Sequence, residues 1–241
     1  MARHLPGTRA RWVLLGTAVA QLAAPPFAGF DQGSAADPVV VPPGPFFAVW
    51  GPVVLGCLAA AVYGLPLRRA TTEPWRRVQV PLSAAQVGFV LWLVAAARAP
   101  VLTVPVFVAM LAALLLCLHT VVTTPSGRGT RWLLGGTVGL YAGWTSAAVW
   151  VNTATVLPER FVGGTAVPAL LLAGAATTAA VVAWRVRGQP PYVLAAGWAL
   201  LGALVSTLGA GATALGVVAG TGLVTVVVVA LVGARRPAPR S

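Results

Sequence analysis

The side chains able to make or break bonds are few in this chain, and they stand apart. Histidine occurs only at His4 and His119, cysteine only at Cys57 and Cys117, and lysine nowhere. Without lysine there is no amine for a retinal or pyridoxal Schiff base and no Walker-type phosphate loop. The two histidines have no metal-ligand spacing, so no metal site is expected. The cysteines lie inside apolar runs without a CxxC neighbour and read as small buried hydrophobes. No histidine or acid is placed to activate a serine, so we expect no catalytic residues. The four carboxylates, Asp31, Asp37, Glu73 and Glu159, all fall between apolar runs. An ion-driven carrier usually holds a carboxylate near the membrane midplane, and this chain offers none there.

The remaining chemistry is that of rings and amides. In LYAGWTSAAVWVNTA, residues 140–154, a helix places Tyr141, Trp144, Ala148 and Asn152 within about 80° of arc, as one stripe. Asn152 carries an amide that hydrocarbon cannot satisfy, so it needs a protein or ligand partner. Gly135, Gly139 and Gly143 lie near the opposite side, where a second backbone can approach closely. In PPGPFFAVWGPVVLGC, Phe46, Trp50, Val53 and Cys57 share a face, and LSAAQVGFVLWLV offers Gln86, Phe89 and Trp92. If these three segments converge, they form an apolar pocket with sparse polar anchors, suited to a flat hydrophobic ligand. The plainer reading of the tryptophans is core packing plus interfacial belts. Trp12, Trp132, Trp150, Trp184 and Trp198 fit it, lying near span ends, and Trp75 falls in a loop.

The elements that must position these residues are membrane helices. The 241-residue chain is 58% hydrophobic and 8% charged, with a mean hydropathy of +0.87. So little charge cannot cover a water-soluble domain of this length, and strand-type alternation is absent. The fold class is all-α, a polytopic transmembrane helix bundle. Apolar runs fall at about 12–29, 45–65, 80–97, 101–122, 131–156, 166–184, 191–207 and 212–233, giving about eight helices. The tracts 80–122 and 191–233 would each reach roughly 65 Å as one helix, against a hydrocarbon core of about 30 Å. Each must therefore be a hairpin, turned at Arg98-Ala99-Pro100 and at Gly209-Ala210-Gly211. The N-terminal stretch also resembles a signal peptide, but its apolar run continues to Phe30 and reads as a first spanning helix.

The net charge of +12 is not a nucleic-acid stripe, because all sixteen basic residues are arginines placed between the runs. With the N-terminus cytoplasmic, fourteen arginines fall inside and only Arg98 and Arg160 outside. Both termini are therefore expected in the cytoplasm, and the Ala/Val/Gly/Arg/Pro bias points to a bacterial inner membrane. No sequence repeat relates the two halves.

The segment YAGWTSAAVWVN resembles the fifth-helix motif of the TspO/MBR family, the tryptophan-rich sensory and translocator proteins; Tyr141, Trp144, Ala148 and Asn152 match its spacing. Pro45, Phe46, Val49 and Trp50 are similar to the family's second helix, and Trp92 to its third, where Phe89 stands in the place of the usual asparagine. The resemblance covers about residues 12–156. It implies a five-helix core, residues 1–160, followed by 161–241 as three additional helices with a short basic tail. It also implies a pocket lined by Phe46, Trp50, Trp92, Tyr141, Trp144, Ala148 and Asn152, for a porphyrin, haem or sterol-like ligand. No cofactor is required. The loop DQGSAADPVVVPPG lacks the family's aromatic and basic residues, which favours a more apolar ligand. The expected partners are the bilayer, the small ligand and, through Gly216 and Gly220 at GxxxG spacing, a neighbouring helix or a second copy of the chain. The rival readings are a permease for a small lipophile, an enzyme acting on a bound tetrapyrrole through Trp144, and a structural membrane subunit.

Overall fold

The computed structural model describes residues 9–28 and 37–236, and the described residues hold helices and no strand. Eight longer helices carry the fold: α1 (Ala10–Ala23), α2 (Trp50–Gly64), α3 (Trp75–Arg98), α4 (Thr103–Thr123), α5 (Arg128–Val156), α6 (Ala166–Arg185), α7 (Pro190–Gly209) and α8 (Thr213–Ala234). A 3-10 segment, Gly44–Val49, leads into α2, and six of the described helical segments are long and apolar enough to cross a membrane. Of the other two, α1 is apolar but 14 residues long, while α5 has 29 residues diluted with glycine, threonine and aromatic rings.

The chain divides into two compact units, one of residues 1–30 and 50–142, the other of residues 31–49 and 143–241. In the first unit, α3 packs along α4, and α1 lies against α2 and α3. The α3–α4 hairpin turns where the sequence requires it: Ala99 is extended and Pro100 opens a short 3-10 turn. Gly88 leaves the surface of α3 open to the side chain of Met110 on α4. Helix α3 begins earlier than its apolar run. Trp75, expected in a loop, is the first residue of the helix and is buried. The bare Cα of Gly64 makes that possible, since a Cβ there would meet the indole at 2.5 Å, and Nε1 of Trp75 donates to Thr130 Oγ1 at 3.3 Å. A tryptophan between charged residues reads as loop in sequence, but burying its large ring outweighs the polarity around it.

In the second unit, α8 packs on both α6 and α7. Val40, Ala154, Leu172, Ala203, Leu215 and Ala219 form part of its core. Small residues set the spacing. A Cβ on Gly143 would strike the carbonyl oxygen of Tyr192 on α7, and one on Gly222 would come within 2.6 Å of Ala176 Cβ on α6. Gly216 and Gly220 face Leu208 and Leu204, so this spacing serves the α7–α8 hairpin. The hairpin turns at Gly211, with φ +73°, as the sequence indicates. Between α6 and α7 the chain reverses through Arg187 (φ 58°) and Gly188 (φ 65°), and the side chain of Arg187 donates to the carbonyl of Arg236.

Candidate functional site

In the first unit, helical periodicity turns Trp50 of α2, Phe89 and Trp92 of α3, Phe107 of α4 and Tyr141 of α5 to the interior, and all five are buried. Trp50 sits at the centre. Its ring is 4.7 Å from Phe89, 6.0 Å from Trp92 in a stacked arrangement, and 5.6 Å edge-on from Tyr141. Trp92 meets Phe107 edge-on at 5.1 Å. Such geometries match the aromatic quadrupole and contribute roughly 0.5–1.5 kcal/mol per pair beyond burial. The Tyr141 hydroxyl donates to the carbonyl of Ala85 at 3.1 Å, which fixes the ring.

Among the buried polar groups of this unit, which also include Gln79, Ser83 and Thr137, two glutamines lie between α1 and α3. Thr17 Oγ1 of α1 lies 2.5 Å from Gln86 Oε1, which ties α1 to α3. One turn further along α1, Gln21 is fully buried, and neither atom of its amide has a partner among the described residues. The Nε2 of Gln86 is likewise buried without one. An unsatisfied buried group costs about 1–3 kcal/mol, so a hydrogen-bonding guest that reached these amides would gain by satisfying them; Gln79 Oε1 is a further such atom in this unit.

The second unit holds the other expected residues. Trp144 is buried and meets Phe47 edge-on at 5.4 Å. Phe46 lies 4.5 Å from Trp198, whose Nε1 donates to the Phe46 carbonyl at 2.9 Å. Ala148 and Asn152 are half-buried on the last turns of α5, and the Asn152 carbonyl accepts from Thr155 Oγ1 at 2.8 Å. Trp150, expected as an interfacial anchor, is instead an internal packing residue. Its Nε1 donates to Thr178 Oγ1 at 3.0 Å, and Gly174 on α6 leaves room for its ring. Trp12 and Trp132 remain well exposed, as interfacial residues are.

Trp50, Trp92 and Tyr141 are thus brought together, while Phe46, Trp144, Ala148 and Asn152 belong to the second unit. Sequence reasoning passed over Gln21, Phe47 and Phe107. For Gln21 the signal was present: a lone amide in an apolar run, the argument already applied to Asn152. Among the described residues, no cluster of histidine, cysteine or acidic side chains could hold a metal ion.

A helical chain whose long apolar segments bury aromatic rings, with its few charges between them, is a polytopic membrane protein. A family model described as TSPO-like protein matches residues 12–233, so the chain belongs to the TSPO-like family. The match runs from α1 into α8 and therefore includes the three helices that follow the five-helix resemblance. No match was found among curated proteins or among solved structures.

Proposed function

We propose that the protein binds an apolar small molecule within the membrane through its buried aromatic side chains. Membership of the TSPO-like family supports this reading, and one observation carries it: the ring cluster around Trp50 shares its unit with the buried Gln21 amide and the Gln86 Nε2, which lack partners among the described residues. Rings offer stacking surface to a flat ligand, and the amides offer it a donor and an acceptor. The ligand class is a porphyrin, haem or sterol-like molecule. Loop 31–44 carries two aspartates and no basic residue to pair with a ligand carboxylate, which favours the less acidic, more apolar members of that set. Trp50, Trp92 and Tyr141 are the proposed lining in the first unit, and Phe46, Trp144, Ala148 and Asn152 the proposed lining in the second. The distribution of arginines supports an inner-membrane location with both termini cytoplasmic.

A second reading, a structural subunit without ligand, draws on the same cluster. Rings in mutual contact at 4.7–6.0 Å already stabilise one another. Quenching of tryptophan emission by a panel of porphyrins and a fluorescent sterol, in lipid nanodiscs, separates the two. Ligand binding gives saturable quenching, weakened about 2- to 10-fold in Trp92→Ala for a ligand in the first unit, or in Trp144→Ala and Asn152→Ala for one in the second, the scale of one lost stacking or buried hydrogen-bond contact. Quenching that never saturates, or that is unchanged in all three variants, favours the structural subunit.

A further inference from the structure

Along the outside of the first unit, α1 and α3 leave a groove of about 390 Å³ between them. Its walls are apolar: Ala20 and Ala23 come from α1, Ala24 follows that helix, and Val90, Leu93 and Ala97 come from α3. The groove exists because α1 turns its larger inward side chains, Leu14 and Gln21, into the unit and leaves single methyl groups facing out beside α3. At its end stands Arg98, the last residue of α3. The other charged cluster on α3 is at the opposite terminus, where Glu73 meets Arg76 and Arg77. Among the described residues no carboxylate pairs with Arg98.

An apolar trough that ends in a cation is complementary to an amphiphile with one apolar chain and one negative charge. A purely apolar occupant would leave the guanidinium unused. A two-chain lipid exceeds a volume at the lower end of small-molecule sites, which run from about 300 to 1,000 Å³. We propose that the α1–α3 groove binds a long-chain fatty acid, its chain lying along the alanines of α1 and its carboxylate paired with Arg98. This site is separate from the ring cluster and does not depend on the ligand proposed for it.

The test is electron paramagnetic resonance of the whole protein in phosphatidylcholine nanodiscs, using stearic acid spin-labelled near its methyl end. A motionally restricted, saturable component is expected for the acid and not for phosphatidylcholine carrying the same label. Arg98→Gln should weaken it about 5-fold, the scale of one partly exposed ion pair. Ala23→Leu, which fills the trough, should abolish it, and circular dichroism checks that this variant folds. Equal restriction of acid and phosphatidylcholine, or no change in both variants, overturns the site. Two further outcomes also overturn it. Labelled phosphatidylglycerol held as tightly as the acid would make a bilayer lipid the occupant. Loss of a dimer in Ala23→Leu with the acid signal unmoved would make the groove a self-association face.

Discussion

Replacing Gly143 by alanine tests how closely the second half of α5 and α7 are fitted. The new methyl would collide with the carbonyl oxygen of Tyr192 and sit 3.1 Å from both Ala195 Cβ and Ala196 N. Favourable carbon contacts lie near 3.5–4.0 Å, so α7 must withdraw by several tenths of an ångström or more. Two of the obstructing atoms are backbone, and the neighbouring Tyr192 is pinned by its 2.9 Å bond to Ser146, so no single side chain can rotate away. Overpacking of this kind costs about 1–3 kcal/mol, against a helix-propensity gain of about 1 kcal/mol for replacing glycine by alanine. The net expectation is a loss of about 0–2 kcal/mol, towards the upper end because the obstructing atoms are backbone. Gly136, on the same helix, has nothing within 4 Å of a prospective Cβ. Gly136→Ala should therefore keep the propensity gain, up to about 1 kcal/mol, without the clash. Titration of dodecylmaltoside micelles with sodium dodecyl sulfate, followed by circular dichroism, measures both variants. If Gly143→Ala is as stable as Gly136→Ala, the close approach of α5 and α7 is refuted.

Three other substitutions test separate contacts in the same assay. Gln21→Leu removes two buried amide atoms that lack partners and should stabilise the ligand-free protein by about 1–3 kcal/mol; a loss would show that the amide is satisfied. Gly188→Ala should lower the unfolding midpoint clearly, because a Cβ would strike the Ala230 carbonyl and the left-handed φ of 65° costs a side chain roughly 1–2 kcal/mol more; an unchanged midpoint would refute the tight α6–α7 turn. Trp150→Phe forfeits the 3.0 Å bond to Thr178, an expected loss of about 0.5–1.5 kcal/mol that Thr178→Val should partly relieve; a double-mutant cycle with no coupling would remove that contact.

The eight segments were legible because apolar run length, turn residues and the placement of arginine all respond to one solvent, the bilayer. The two hairpins turn where the tracts are interrupted, at Ala99-Pro100 and at Gly211. The start of α3 at Trp75 was not legible, because the signal that buries this ring is Gly64 on another helix. The same holds for Trp150, whose partners Gly174 and Thr178 lie on α6. Periodicity identified the inward faces of Trp50, Trp92 and Tyr141, and all three rings are buried. It said nothing of Phe107, one aromatic in a helix whose polar residues sit only at its two ends and so mark no outer face beside it. Which ring touches which depends on contacts between segments far apart in the chain, and no local pattern encodes those.

The sorting of the indoles has a spectroscopic consequence. Trp50, Trp75, Trp92 and Trp144 are enclosed, whereas Trp12 and Trp132 present 55% and 73% of their surface outward, and Trp184 and Trp198 are exposed to a lesser degree. Emission from the intact protein is therefore a sum of a short-wavelength component from the enclosed rings and a red-shifted one from the peripheral rings, Trp12 and Trp132 above all. A collisional quencher confined to water or to the headgroup layer removes the second component first, and the residual blue band then reports on the interior alone.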